Sequence, residues 1–513
     1  MRTSSAIKNS IAGLIASLTA MLLGFIAQAI FIRTLGVEYL GINGLFTNIL
    51  QMLCFVELGI GYAIVFNLYK PIAEGNIEEI KSLMYFYKKT YRILAIIIAV
   101  LGMFVLPLIP MIVGEVSIEV NIYLVYFLFL MSTVASYLIV YKRNFIIADQ
   151  KNYIVNYIHI FYLFTINLLQ ILIIVIYKNY YAYLITKIIC QLGENIVVSA
   201  IANKKYPFLK EKEYSPLEPK IKKDIFIKVK ALIYHKIGTI MVIGTDNIII
   251  SAFFGVATVG LYSNYYLIIN ALTIVFSQLI SATGASVGNL LAKETQEKSH
   301  SIFKRMFFLN SWVSIFTASS LLIMIQPFMK IWVGEQYIFS MSILIILIMN
   351  YFQKMQKVSY VTFKDSAGIW TEDKYVPLAE AVLNITFSIF FARIYGIAGV
   401  FIGTILSSSA LWFFSYPKYV YKSILGGTYK NYIKESATII VVFIICCVSS
   451  VGLSMLVCFD NVVLTLFVNG IIALIVPNLI LFVTFRKTDE FKYFLNLLCK
   501  IIFRKKKNET IIS

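Results

Sequence analysis

Apolar segments long enough to cross a membrane follow one another along the chain, separated by short polar stretches. A helix needs about 20 apolar residues to span the hydrocarbon core of a bilayer. Because the segments reach roughly that length, the pattern predicts an all-α polytopic membrane protein with about 14 transmembrane helices. The predicted segments are residues 10–32, 41–68, 91–113, 121–141, 154–177, 180–202, 231–253, 260–291, 306–326, 340–363, 376–394, 396–416, 436–459 and 462–485.

Basic residues are distributed asymmetrically around these segments. If consecutive helices cross a membrane in alternate directions, the outer loops hold only Arg33, Lys178, Lys330 and Arg393, and Lys187 lies inside a helix. The other forty of the 45 Lys and Arg residues then fall on the inner side. Because basic loops are retained on the cytoplasmic side, we predict that both termini are cytoplasmic.

The composition narrows the possible partners. Hydrophobic residues make up 59% of the chain, and the mean hydropathy of +0.82 is that of a membrane protein. The net charge of +19 raises the possibility of nucleic-acid binding, but the basic residues are spread over every inner loop, where they contact anionic lipid headgroups. We therefore expect membrane lipids as partners and no nucleic acid. The six cysteines show no metal-ligand spacing, so we expect no metal and no cofactor.

The predicted helices divide into two groups of six, followed by two more. The longest inner loop lies between the sixth and seventh segments, and its nine basic residues and three prolines are typical of a linker. We predict six-helix lobes at 1–202 and 231–435 and a cytoplasmic interlobe linker at 203–230. Two additional transmembrane helices at 436–485 contain no ionisable residue except cysteine inside the membrane and look like lipid-facing additions. A basic cytoplasmic tail follows at 486–513.

The two halves of the chain echo each other. Residues 36–42 read GVEYLGI and residues 255–261 read GVATVGL, and a weaker echo relates residues 151–156 to 374–384. The echoes support a parallel six-plus-six repeat, one of the arrangements from which alternating-access transporters are built. Apolar residues between positions 221 and 232 recur at helical spacing among lysines. They form either a helix on the inner membrane surface or an extension of the seventh transmembrane helix.

Polar side chains recur on single faces of several predicted helices. Lys187, Gln191 and Glu194 are spaced at i, i+4 and i+7, which places all three on one face. Four further helices carry similar stripes, formed by Ser10, Ser17, Gly24 and Gln28; by Asn156, His159, Asn167 and Gln170; by His235, Thr239 and Asp246; and by Glu380, Asn384 and Ser388. With Glu57 in the second helix, six polar helices imply a central water-accessible cavity, although uncharged stripes equally serve as interhelical hydrogen bonds.

Charged residues inside spanning segments are costly and usually face a cavity or a partner. Glu57 lies near the midpoint of its segment, where two nearby glycines permit bending. Lys187 and Glu194 lie about 10 Å apart along their helix, so they do not neutralise each other directly. We favour functional roles for these three residues over structural pairing, and for Asp246 both interpretations stay open. Glu380 lies close to the predicted inner interface, where we expect it to be solvated.

Five short motifs resemble those of a known group of membrane proteins. They are FIRTLG at 31–36, ELGIG at 57–61, LYKP at 68–71, TDNI at 245–248 and GLYSN at 260–264. With the helix layout of essentially the whole chain, they resemble the polysaccharide transporter family of the multidrug/oligosaccharidyl-lipid/polysaccharide exporter superfamily. The composition, rich in Lys, Ile and Asn, is typical of a low-GC bacterium.

The resemblance implies two six-helix lobes around a central cavity that opens alternately inward and outward. It implies a flippase, not an enzyme, in a bacterial plasma membrane. The implied substrate is undecaprenyl diphosphate carrying an oligosaccharide repeat unit of capsule, exopolysaccharide or O-antigen type, moved from the inner to the outer leaflet. Polysaccharide polymerase machinery is an implied partner.

The charged residues inside and beside the membrane suit such a substrate. A diphosphate does not cross hydrocarbon unaided, and cationic side chains in a wet cavity lower that barrier. The candidates for substrate binding are Arg33, Lys187, Gln28 and Gln191. The candidates for binding a coupling ion, either H⁺ or Na⁺, are Glu57, Glu194 and Asp246.

Four alternatives remain. A multidrug exporter of the same superfamily usually has twelve helices and an acidic cavity. A lipid II flippase also has fourteen helices but is associated with a cluster of cavity arginines, whereas only Arg33 and Arg393 lie near helix ends here. A membrane-embedded polysaccharide polymerase or ligase typically has a sizeable catalytic outer loop, which is not predicted here. An ATP-driven pump is disfavoured because the sequence has no phosphate-binding loop motif.

Overall fold

The computed structural model describes residues 2–57, 60–114, 116–137, 140–211, 216–281, 283–369, 372–373, 375–457 and 459–497. In these ranges the regular elements are helices, and no strand is present. The α-helices are α1 (Arg2–Leu35), α2 (Val37–Leu53), α3 (Ile60–Glu74), α4 (Ile77–Val105), α5 (Ile109–Val113), α6 (Ile122–Tyr137), α7 (Val140–Ala148), α8 (Asn152–Tyr177), α9 (Tyr180–Lys205), α10 (Pro219–Phe254), α11 (Val256–Ser281), α12 (Gly284–Lys293), α13 (Gln296–Trp332), α14 (Met341–Ser366), α15 (Val376–Tyr395), α16 (Ile397–Ala410), α17 (Tyr429–Leu456) and α18 (Val462–Phe485).

The helices agree with a polytopic membrane protein. Among the described residues, ten helices are individually long and apolar enough to cross a membrane. A further candidate is the pair α6 and α7, which bends by 44° between its two parts. Each of the fourteen predicted segments overlaps one or more helices, and the number fourteen itself stays a prediction. Large apolar side chains such as Phe161 and Leu456 are exposed, as expected of surfaces that face lipid.

The second predicted helix is broken where the sequence permits bending. It consists of α2, a 3₁₀ turn at Cys54–Glu57, and α3, which begins at Ile60. Gly59 lies outside the described residues. The break places Glu57 at the end of a turn, away from a regular helical repeat.

The echoing glycines form equivalent turns. Gly36, between α1 and α2, has φ 100°, and Gly255, between α10 and α11, has φ 81°. Because side chains other than glycine are strained at such φ values, both turns depend on glycine. The repeated GV dipeptides therefore begin the same local structure twice.

The chain folds into two compact units. Unit 1 comprises residues 1–267 and 377–400, and unit 2 comprises residues 268–376 and 401–513. The six-plus-six lobe boundaries predicted from the sequence stay a prediction. The pattern at 221–232 is settled, because α10 continues through it without interruption as an extension of the seventh helix.

In unit 2, the two additional helices are attached to α13 by polar contacts. The Trp312 indole donates to Asn478 Oδ1 of α18 (2.9 Å), and Asn469 Nδ2 donates to the Ile323 carbonyl (2.8 Å). Residues 489–497 of the predicted tail are also helical, and Tyr493 lies against Arg305, 3.9 Å from ring centroid to guanidinium carbon. The other side of α17 and α18 exposes apolar side chains to lipid.

Candidate functional site

Lys187 and Gln191 lie on the side of α9 that faces α6. The Lys187 ammonium is 5.1 Å from the centroid of the Phe129 ring, and Gln191 Oε1 accepts a hydrogen bond from the Ser132 hydroxyl (2.8 Å). The two side chains share a face, as their spacing predicts. No carboxylate of the described residues lies within ion-pair distance of Lys187. Among the described residues, the Lys187 ammonium thus lies inside a candidate span beside an aromatic ring and no carboxylate.

Arg33 is an exposed residue in the last turn of α1, close to the helix that carries Lys187. Phe31, in the same turn, packs against Tyr183 with ring centroids 5.1 Å apart. Tyr183 precedes Lys187 by about one turn of α9. The helix end with Arg33 and the N-terminal half of α9 are therefore neighbours. Gln28, which precedes Arg33 in α1, donates to Asn264 Oδ1 of α11 (2.6 Å).

Glu194 has partners that the sequence interpretation missed. Its side chain is 5% exposed, forms an ion pair with Arg143 of α7, and lies 2.9 Å from Nδ1 of His159 on α8. The sequence pattern places Arg143 in an inner loop because it follows the predicted span 121–141, but the bend before α7 turns it into the helix bundle. Glu194 therefore has a counter-charge that comes from a distant part of the sequence.

Glu57 has a different environment. Its two carboxylate oxygens accept hydrogen bonds from two tyrosines, Tyr91 of α4 (2.7 Å) and Tyr137 of α6 (2.6 Å). Both phenols are buried. The sequence interpretation did not single out these tyrosines, and their spacing carries no signal, because each comes from a different helix. Glu57 is a carboxylate held by neutral donors.

Asp246 is buried in α10, and the neighbouring polar residues connect helices. Thr245 donates to Asn384 Oδ1 of α15 (2.9 Å), and Ser388 donates to the Val400 carbonyl (3.0 Å). The stripe on α15 therefore serves helix packing. Glu380 is 7% exposed, because it lies on the buried face of α15 with Asn384 and Ser388. The expectation that it is solvated is therefore wrong. The side chains of Ser10, His235 and Thr239 lie outside the described residues.

The C-terminal ends of α7 and α9 and the N-terminal end of α8 are joined by a compact polar cluster. Asp149 pairs with Lys151 and accepts a hydrogen bond from the Tyr206 hydroxyl, and the Lys151 ammonium lies 3.3 Å from the same hydroxyl. Burial raises the pKa of Tyr206 above its ordinary value, and the hydrogen bond to Asp149 raises it further. The phenol therefore stays protonated and holds the α7–α8 turn against the end of α9.

Unit 2 contains polar contacts of its own that the sequence interpretation did not identify. Lys357 of α14 donates to the Ser408 hydroxyl of α16 (2.7 Å). Lys364 and Asp373 form an ion pair whose side chains are 5% and 0% exposed, and Ser415 donates to the same carboxylate (3.2 Å). The sequence pattern assigns these lysines to the inner side because they lie in or just beyond the inner half of a predicted helix.

Comparisons with known proteins place the fold. No family model matches the chain, and no curated protein sequence matches it. Among solved structures, it is similar to a lipid II flippase MurJ in an inward closed conformation, with a TM-score of 0.66 and 16% identity over 94% of this chain and 99% of that one. It is also similar to an inward-facing multidrug resistance MATE family transporter of the MOP superfamily, with a TM-score of 0.59 and 15% identity over 78% and 95%.

A MATE transporter of Vibrio cholerae gives a TM-score of 0.54 and 15% identity over 80% and 96%. At these identities the likeness concerns the fold alone. The chain therefore has the all-helical fold shared by these transporters. The similarity to the lipid II flippase extends over more of the chain than the similarity to either MATE transporter.

Proposed function

We propose that this protein is a flippase that moves undecaprenyl-diphosphate-linked oligosaccharide repeat units from the inner to the outer leaflet of a bacterial plasma membrane. Transport proceeds by alternating access and is coupled to a cation. The observation that carries the proposal is Lys187, a cation inside a span with no described carboxylate beside it. Such a group is costly in a membrane unless it serves an anionic substrate.

The chemistry of the candidate residues supports an anionic, lipid-linked substrate. Arg33, on the neighbouring helix end, offers the bidentate guanidinium that suits phosphate, and Lys187 supplies a movable point charge. Gln28 and Gln191 provide amide groups for sugar hydroxyls. A cationic drug, by contrast, gains nothing from a binding path that contains an uncompensated lysine.

A lipid II flippase is the second candidate, favoured by one observation. The similarity to MurJ spans 94% of this chain, whereas the similarity to the MATE transporters spans about four fifths. Lipid II is itself an undecaprenyl-diphosphate-linked sugar, so the same cations serve either substrate. Only the accumulated intermediate distinguishes the two functions.

The experiment is mass spectrometry of lipid-linked intermediates in a strain that lacks the gene, complemented with variants. Lys187→Gln is expected to accumulate undecaprenyl-diphosphate-linked repeat units, and Lys187→Arg to restore part of the export. Lys178→Gln is the matched control, because Lys178 is an exposed cation that follows α8. Accumulation of lipid II would favour the second candidate. Normal surface polysaccharide with Lys187→Gln would refute the substrate role of Lys187.

A further inference from the structure

Glu57 is a carboxylate that the fold surrounds with neutral hydrogen-bond donors. It ends the 3₁₀ turn Cys54–Glu57, and its side chain is partly buried. Tyr91 donates to one of its oxygens (2.7 Å) and Tyr137 to the other (2.6 Å). In the described part of the chain, no Lys, Arg or His lies within ion-pair distance. Among the described residues, its hydrogen-bond donors are therefore the two phenols.

The hydrogen bonds continue beyond these phenols. The Tyr87 hydroxyl, one turn from Tyr91 on α4, lies 3.5 Å from the Tyr91 hydroxyl. Asn144 of α7 donates in turn to Tyr87. Gly61 leaves room for this chain, because a Cβ at that position would lie 2.9 Å from the Tyr91 hydroxyl. A row of hydrogen-bonding groups thus leads from Glu57 through α4 to α7.

In the part of the chain that the structure describes, the other titratable groups near Glu57 are not cationic. Cys54 begins the turn that Glu57 ends. α10 also packs against the turn, and its Asp246 lies on the side that interacts with Tyr262 of α11. Side chains 231–243 of α10 lie outside the described residues. Among the described groups, only neutral phenols and one thiol face Glu57.

This donor set suits a proton and does not suit a metal cation. Sites for hard cations present several oxygen lone pairs from carboxylates and carbonyls. At Glu57 both carboxylate oxygens already accept O–H groups, and no second carboxylate contributes. The described residues contain no group of three His, Cys, Asp or Glu side chains that could hold a metal ion. A single carboxylate with phenol donors is instead a site that alternates between a charged and a protonated form.

We propose that Glu57 binds the coupling proton and that Tyr91 and Tyr137 are positioning residues for it. The coupling role rests on the proposed transport function. Glu194 is a poorer candidate, because Arg143 already neutralises it with a permanent charge.

Proton binding changes the hydrogen bonds around the turn. The proton adds to one carboxylate oxygen, and no other covalent bond forms or breaks. If the proton adds to Oε1, that oxygen becomes a donor, and Tyr91 accepts from it and turns its own hydrogen toward the Tyr87 hydroxyl. The reversal ends at Tyr87, because the Asn144 amide nitrogen remains a donor to it. Two charge-assisted hydrogen bonds become neutral ones, which are weaker. Protonation therefore loosens the contact of the helix break with α4 and α6.

The first test reads proton binding without any substrate. Detergent-purified full-length protein is titrated while the infrared band of a protonated carboxylic acid is followed. Wild type is expected to gain this band as the pH falls, and Glu57→Gln to lose that part of it. Tyr137→Phe is expected to move the midpoint to higher pH, because the charged form loses a donor. Tyr126→Phe is the matched control, since its buried hydroxyl on the same helix bonds the Gly102 carbonyl.

The second test concerns coupling. In proteoliposomes, a pH gradient is expected to drive transport of a lipid-linked oligosaccharide and a sodium gradient is not. Removing one phenol donor, as in Tyr137→Phe, is expected to slow proton-driven transport roughly tenfold, the usual effect of one hydrogen bond to a charged group. Tyr126→Phe should transport like wild type.

The outcomes separate the two proposals. An infrared titration that is unchanged in both Glu57→Gln and Tyr137→Phe overturns the proton site, whatever the protein transports. Transport driven by sodium alone also overturns it. If the Glu57-dependent band is present but the oligosaccharide does not move, the proton site stands and the proposed substrate is wrong. Tyr137→Phe keeps the ring and its packing, so the test survives if Glu57→Gln does not fold.

Discussion

Gly41 and Gly260 meet backbone to backbone, and the contact is reciprocal. A Cβ on Gly41 would lie 1.8 Å from the Val256 carbonyl oxygen, and a Cβ on Gly260 would lie 2.1 Å from the Val37 carbonyl oxygen. Each built Cβ is also 3.1 Å from the other glycine's amide nitrogen. A two-fold axis generates this kind of reciprocity. The two echoing stretches of the sequence therefore pack against each other as matched partners.

Alanine at either glycine is expected to force the start of α2 away from the start of α11. Overpacking of this kind costs about 1–3 kcal/mol. The reporter is Ser263→Cys. Labelling of this cysteine by a membrane-impermeant maleimide is expected to increase when Gly41→Ala or Gly260→Ala is added. Ser263 lies beside Gly44, which is about one helical turn from the contact at Gly41. Gly193→Ala is the control, because a Cβ there meets nothing within 4 Å. Labelling that stays at the level of the unsubstituted background would show that the contact tolerates a methyl group.

Arg143 and Glu194 are expected to be strongly coupled in stability. Breaking a buried ion pair by removing one partner costs about 3–5 kcal/mol, and the partial exposure of Arg143, 24%, places this pair at the lower end. Arg143→Leu and Glu194→Leu are each expected to lower the melting temperature in detergent. The double variant should lose less than the sum of the two. Additive losses would contradict a direct pair.

Asn469 is expected to anchor the last two helices to α13. It donates to the Ile323 carbonyl and accepts from the Ser454 hydroxyl (2.8 Å), and it is 2% exposed. Each interhelical hydrogen bond in a membrane contributes about 0.6 kcal/mol, with a maximum near 1.7. Asn469→Ala should therefore lower stability by about 1–2 kcal/mol in a thermal unfolding assay. Asn431→Ala, at an exposed position in the first turn of α17, should change it less. Equal losses of stability in the two variants would contradict the anchoring role of Asn469.

The orientation predicted from the basic residues is testable by cysteine labelling. In a cysteine-free background, Gln336→Cys lies in a predicted outer loop and Glu218→Cys in the predicted interlobe linker. Both positions are exposed. An outside-only reagent on intact cells is expected to label the first and not the second. Labelling of Glu218→Cys alone would show that the chain is inserted in the opposite orientation.

Local sequence signals predicted the parts of the fold that depend on local physics. Gly36 and Gly255 marked two equivalent turns because only glycine accepts their positive φ. The spacing of Lys187 and Gln191 placed both on one helix face, and the structure shows them together toward α6. Helical periodicity and hydropathy are properties of residues close together in the sequence, so a single sequence is enough to recognise them.

The partners of the buried charges were not predictable in the same way. Arg143 belongs to the short helix α7, and it pairs with Glu194 of α9, 51 residues along the chain. Tyr91 and Tyr137 reach Glu57 from two different helices. Long-range contacts of this kind depend on helix rotation and bending, which hydropathy does not encode.

The most direct test of the account is flipping of a fluorescent undecaprenyl-diphosphate-linked oligosaccharide by purified protein in proteoliposomes. Wild type is expected to move the lipid between leaflets, Lys187→Gln to lose most of that rate, and Lys187→Arg to keep part of it. Lys178→Gln should match wild type, because its charge lies outside the span. Folding of each variant is checked by its melting temperature. A wild-type protein that leaves the lipid in its original leaflet, or a folded Lys187→Gln that flips it at the wild-type rate, would contradict the account.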